Sequence, residues 1–193
     1  MKTTTLKIIL LITLAAFLIS FEMPVGWFKA GSKSDSYDMG IDKGSGMDGK
    51  NAASIKSVDK VIEGYGTLMQ SANADKFIGK RIRLSGYIKS QNVSEKAGFW
   101  LRIGQANSQS FLAFDNMMDR AVTGTTEWKK YEIVLDVPEG ASQISYGALL
   151  RGTGQIWFDK LNFEIVDTNV PTTGKKADRV KVKDEPMNLD FEE

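Results

Sequence analysis

Apolar and polar residues alternate with a period of two along much of this chain. Within residues 124–166, Tyr131, Ile133, Leu135 and Val137 alternate with Lys130, Glu132 and Asp136, and Ile144, Tyr146, Ala148 and Leu150 repeat the period. Successive side chains of a β-strand leave opposite faces, so this pattern predicts strands with one buried face. Pro138-Glu139-Gly140 and Gly152-Thr153-Gly154 supply the turns between three such strands. The last strand changes phase, with Ile156 and Phe158 followed by Leu161, Phe163 and Ile165. One extra residue in one strand produces that slip, which predicts a β-bulge near Asp159-Lys160.

Upstream, residues 80–90 alternate Ile82, Leu84, Gly86 and Ile88 against Arg81, Arg83, Tyr87 and Lys89. Residues 98–103 place Phe99, Leu101 and Ile103 on one face and Trp100 and Arg102 on the other. Shorter strands are predicted at 37–41, 51–58, 64–70 and 110–115, with one helical turn at 74–78. Residues 21–28 read as a first strand that runs into a Pro24/Gly26 corner, and 30–50 otherwise reads as loop. About eight short strands, turns every 8–12 residues and almost no helix predict an all-β sandwich or barrel.

The parity of these strands also makes a functional argument. With Ile82, Leu84, Phe99 and Leu101 turned to the core, Tyr87, Trp100 and Arg102 fall on the opposite face. Large aromatic groups on the solvent side of a sheet mark a binding surface, and a flat ring beside polar groups suits a sugar ring. Asp115 and Asn116 would add hydrogen bonds. The alternative is that Tyr87 and Trp100 lie under the loop 30–50 and simply pack.

The ends of the chain have a different character. Lys2 and Lys7 precede a 12-residue run, 8–19, in which only Thr13 is polar. That run is short for a membrane span and the right size for an export signal. The division predicted is therefore 1–20 as a signal peptide or N-terminal anchor, 21–167 as the sandwich, and 168–193 as a flexible charged tail. An exported protein would be periplasmic, cell-surface or secreted. Residues 168–186 hold two prolines, many charges and no apolar period.

Composition narrows the chemistry. The chain has no histidine and no cysteine, which removes Ser-His and Cys-His nucleophile pairs, thiolate metal sites and disulfides. Lysine and arginine number 25 against 24 acidic residues, so overall charge gives no reason to expect nucleic acid as a partner. A glycosidase needs a pair of carboxylates. Asp115 with Asp119 and Glu132 with Asp136 are available, yet neither pair stands out, and no enzyme activity is predicted. Three classes remain on this footing: a non-catalytic carbohydrate-binding module of an exported protein, a structural or protein-binding accessory domain, and, last, a glycosidase-type enzyme.

The Phe21-Glu22 strand, the Pro-x-Gly-Trp corner at 24–27, the segments 49–55 and 79–88, and the closing Trp157-Phe158-Asp159-Lys160-Leu161-Asn162-Phe163 resemble carbohydrate-binding modules of families four and nine and their relatives. The resemblance covers residues 20–166. It implies a secreted bacterial protein with a two-sheet antiparallel β-sandwich of the jelly-roll, galactose-binding-like kind, a polysaccharide or glycan as partner, and a structural calcium ion. For that ion it implies the carboxylates of Glu22 and Asp159 with carbonyls at Gly49 and Lys50, an oxygen set that calcium accepts. Families of this kind carry two adjacent acids in the last strand, and this chain has Asp159-Lys160.

Overall fold

The computed structural model describes residues 21–105 and 110–176. The predicted export segment 1–20 and residues 177–193 of the predicted tail lie outside them. Among the described residues the chain is all-β, with two three-residue 3-10 turns, at Ser34–Ser36 and Asp75–Phe77, as its only helical pieces. The strands are β1 (Phe28–Ala30), β2 (Tyr37–Asp42), β3 (Ala52–Ser57), β4 (Tyr65–Asn73) and β5 (Arg81–Gly104). They continue as β6 (Phe111–Asp115), β7 (Val122–Asp136), β8 (Gln143–Arg151), β9 (Gln155–Val166) and β10 (Lys175–Lys176).

The two stretches predicted as separate strands at 80–90 and 98–103 are one long strand, β5, that folds over itself. Residues 81–91 pair with β9, and 81–88 with the end of β7, while residues 96–104 pair with β8 and, near their end, with β6. Register breaks at Ile88/Ser90, Ser90/Val93 and Val93/Ala97 mark the bend. One layer thus runs β2-β3-β9-β5-β7 and the other β1-β4-β8-β5-β6-β10, all antiparallel.

Side chains confirm that the layers face each other. Phe99 of the second half of β5 meets Phe158 of β9 edge-on, with ring centroids 6.1 Å apart. Tyr146 of β8 meets Phe163 of β9 the same way at 4.7 Å. Such pairs add about 0.5–1.5 kcal/mol to simple area burial. Gly86, in the first half of β5, leaves room for the Phe99 ring: a Cβ there would stand 2.9 Å from Phe99 Cζ. Ile82, Leu84, Phe99 and Leu101 are fully buried, as their parity predicts.

The predicted bulge lies in β9. The β5–β9 register shifts between Ser85 and Tyr87, and Lys160 takes φ 53°. Trp27 packs at the corner against Tyr146 and Phe158.

Residues 167–176 differ from the expected flexible tail. Arg81 Nη1 donates to the carbonyls of Thr168 (2.5 Å) and Val170 (2.6 Å). The Thr173 amide donates to Val134 O, and β10 adds to the edge of β6. This strap is held by hydrogen bonds from the Arg81 guanidinium and from its own main chain, so it needs no apolar period.

Tyr37 joins β2 to the turn that follows β8. Its buried hydroxyl donates to Gly152 O at 2.8 Å. Burial, with the Glu95 charge adding and Arg151 opposing, pushes its pKa up to about 12. A folded pKa above the unfolded value near 10 means that the protonated form is favoured by folding. That contribution is complete below pH 10 and is lost as pH rises toward 12. Tyr37→Phe should therefore flatten the fall in stability seen in denaturant titrations between pH 10 and 12. An unchanged fall would show that other groups cause it.

Candidate functional site

The cavity that carries the functional argument is on the outer face of the layer β1-β4-β8-β5-β6. It measures about 510 Å³, within the range of ligand sites. Tyr65, Thr67 and Met69 of β4, Leu149 and Arg151 of β8, Lys96, Trp100 and Arg102 of β5, and Asn116 with Met118 line it. Each of the β4 residues faces out because Leu68 between them faces the core, completely buried.

Trp100 forms the floor and is only 9% exposed. In register it stands opposite Gly147 of β8, where the β4 main chain comes close: a Cβ there would stand 2.3 Å from Leu68 O. The indole crosses β8 there, and its Nε1–H donates to Thr67 Oγ1 of β4 at 2.8 Å. The Thr67 hydroxyl donates onward to Ala148 O at 2.7 Å. The ring is therefore fixed by a buried hydrogen-bond chain, a flat apolar surface held in one orientation.

The five predicted ligand residues divide. Trp100, Arg102 and Asn116 meet at this cavity. Tyr87 does not: it pairs with Lys130 and Asp159 in the other layer, half-buried on that layer's outer face. The single aromatic face expected from parity is thus corrected to two faces that point away from each other. Parity fixes in or out, and the fold-over of β5 decides which side of the molecule is out. Trp100 is also packed rather than standing free in solvent.

Asp115 does not line the cavity either. Its carboxylate is buried, accepting from Met117 N (2.7 Å), Arg120 Nη2 (2.6 Å) and Thr173 Oγ1 (2.6 Å). A second hollow, about 410 Å³, adjoins it and shares Phe114, Asn116 and Met118 with the first. Lys96, Arg151 and Thr67 had no signal beyond alternation, and only the register β4-β8-β5 brings them together.

The residues expected to hold calcium do not assemble. Glu22 Oε2 stands 3.4 Å from Lys43 Nζ, largely exposed. The Asp159 carboxylate accepts the amides of Met47 (3.2 Å) and Lys160 (2.6 Å). In register, Glu22 opposes Ile41, Ile41 opposes Ala53 and Ala53 opposes Phe158. Three strand spacings put the Glu22 and Phe158 backbones roughly 14 Å apart. Gly49 and Lys50 lie in an exposed loop closed by Gly46 N to Lys50 O. Among the described residues no group of three or more acidic side chains gathers. This donor set does not fit a shared ion.

No family model matches the chain. It is 44% identical over 169 residues to a protein of Bacillus subtilis (strain 168) named as an uncharacterized HTH-type transcriptional regulator, YbfP. That alignment takes in 87% of this chain and 57% of the relative, so the chain spans little more than half of that protein's length.

Among solved structures, it is similar to the tailspike protein 4 enzymatic domain of bacteriophage CBA120 (TM-score 0.55, 11% identity, 74% of this chain, 20% of that one). It is also similar to the CBM22-1 xylan-binding domain of Paenibacillus barcinonensis Xyn10C (0.53, 14%, 76%, 90%). A third is the Stig cyclase Fisc of Fischerella sp. TAU (0.51, 12%, 76%, 87%). At such identities these likenesses show the fold alone, the β-sandwich jelly roll. They place it among carbohydrate-binding-module-like folds without singling out families four and nine.

Two expectations are corrected by the relative. A carbohydrate-binding module of an exported protein is not what a transcriptional regulator is, and a regulator of transcription works on DNA, which an exported protein does not meet. No helix-turn-helix is present among the described residues.

Proposed function

We propose that this sandwich is the ligand-sensing part of a regulatory protein and takes a saccharide in the Trp100 cavity. The observation that carries the reading is the fixed indole floor with polar side chains converging around it. Regulation is suggested by the relative's name, and the ligand class by the xylan-binding domain and by a CBM22-1-GH10 structure complexed with xylohexaose, which has the same fold (TM-score 0.52, 14% identity). The role in this reading is binding without chemistry; among the described residues the cavity lining holds no carboxylate. DNA contact is not assigned to the sandwich.

The test is a thermal-shift screen of the full chain against neutral and acidic oligosaccharides and against indole compounds, the ligand class named for a cyclase neighbour. A ligand that binds only the folded state at about 100 times its Kd stabilises by about 2.7 kcal/mol. For a domain of this size that raises Tm by about 5–10 °C. A saccharide should do so. A screen in which only indoles shift Tm, or nothing does, overturns the saccharide reading.

A further inference from the structure

The charge around the Trp100 cavity selects among saccharides. We propose that its ligand is an oligosaccharide carrying repeated anionic groups, such as uronate carboxylates. The inference rests on the saccharide reading above and specifies it.

Among the described residues that line the cavity, three side chains are cationic, Lys96, Arg102 and Arg151, and none is acidic. Glu95 accepts from Arg151 Nε at 2.7 Å, and both side chains are 44% exposed. Lys96 Nζ stands 3.0 Å from Met118 Sδ, a thioether that does nothing to neutralise it.

Lys96 and Arg151 are also direct cross-strand partners in the β5–β8 register. Like charges directly opposite one another are destabilising. A local conflict of that kind inside an otherwise consistent sheet is expected where a ligand resolves it. Elsewhere on the sandwich the pattern is the reverse, with Arg81 on Asp136, Arg83 on Glu164 and Arg120 on Asp115.

The spacing argues for an oligomer. Lys96 and Arg102 are six residues apart on the strand, about 20 Å. One anionic group satisfies one end only, and a chain of sugars lying across Trp100 reaches both. Arg102 is already oriented, with Nη2 donating to Ser110 O at 3.2 Å. Held guanidinium groups suit carboxylate and sulfate recognition.

The experiment is calorimetric titration of the full chain with galacturonate hexamer, xylohexaose, a sulfated hexasaccharide and a short DNA duplex. The acidic hexamer should bind at least about tenfold more tightly than xylohexaose, and the preference should shrink at high salt. Lys96→Gln and Arg102→Gln should each reduce the preference by about fivefold. A sulfated hexasaccharide that binds equally supports anionic oligosaccharides at large, and one that binds worse supports carboxylates. Equal or tighter binding of xylohexaose overturns the anionic ligand and leaves the saccharide reading standing. Binding of neither hexamer removes both. Displacement of the acidic hexamer by duplex DNA at equal charge overturns the proposal in favour of a nucleic-acid surface.

Discussion

Trp100→Ala should destabilise the sandwich by about 3–5 kcal/mol, as removal of a large buried aromatic does. The ring is 9% exposed and its indole N–H holds Thr67. Losing it opens a hole between β4 and β5 and strips the bond from the Thr67 hydroxyl. In a urea titration the midpoint should fall with the slope unchanged. Trp100→Phe separates packing from the hydrogen bond. It keeps a flat apolar floor and should cost about 1–2 kcal/mol, mostly for the lost bond. If Trp100→Ala costs under about 1 kcal/mol, the indole is not the packed floor described here, and the rigidity argued for the cavity goes with it.

That prediction also marks how far alternation reaches. The sequence pattern assigned Trp100 to the face opposite Leu101, and the structure agrees. It could not show that Thr67 waits on β4 to hold the indole N–H, because that contact joins residues 33 apart. The same limit separated Tyr87 from Trp100. Both lie outward on β5, yet the strand bends between them at 88–97 and delivers them to opposite sides of the molecule.

Other features were legible because they are local. The bulge at Lys160 follows from a phase slip within one strand. The turns at 138–140 and 152–154 follow from their proline and glycines. The strap at 167–176 was not legible, since it is secured by carbonyls, amides and one threonine hydroxyl that leave no apolar rhythm. Asp115 was misassigned for a related reason. An acid after Phe114 at a strand end reads as available to a ligand, and only the fold reveals Arg120 and Thr173 beside it.

Arg120→Ala should be as damaging as loss of the tryptophan, about 3–5 kcal/mol, because it leaves a buried carboxylate without its cation. The Asp115 side chain is 5% exposed, and Arg120 Nη2 sits 2.6 Å from its Oδ2. Burial works against the Arg120 charge, but the hydrogen bond and charge of Asp115 outweigh it and hold the guanidinium protonated. Nη2 also donates to Glu132 O at 3.0 Å, tying the 115–120 loop to β7. Adding Asp115→Asn to Arg120→Ala should restore at least about 1 kcal/mol, since the amide oxygen still accepts from Met117 N and the amide NH2 in the other position donates to Thr173 Oγ1, without a stranded charge. The strap reports on the same pair: with Arg120 gone, amide exchange at Thr173 and Val134 should quicken before the core opens. If the single change is neutral, or the double change is worse than the single, the ion pair is not what holds Asp115 in place.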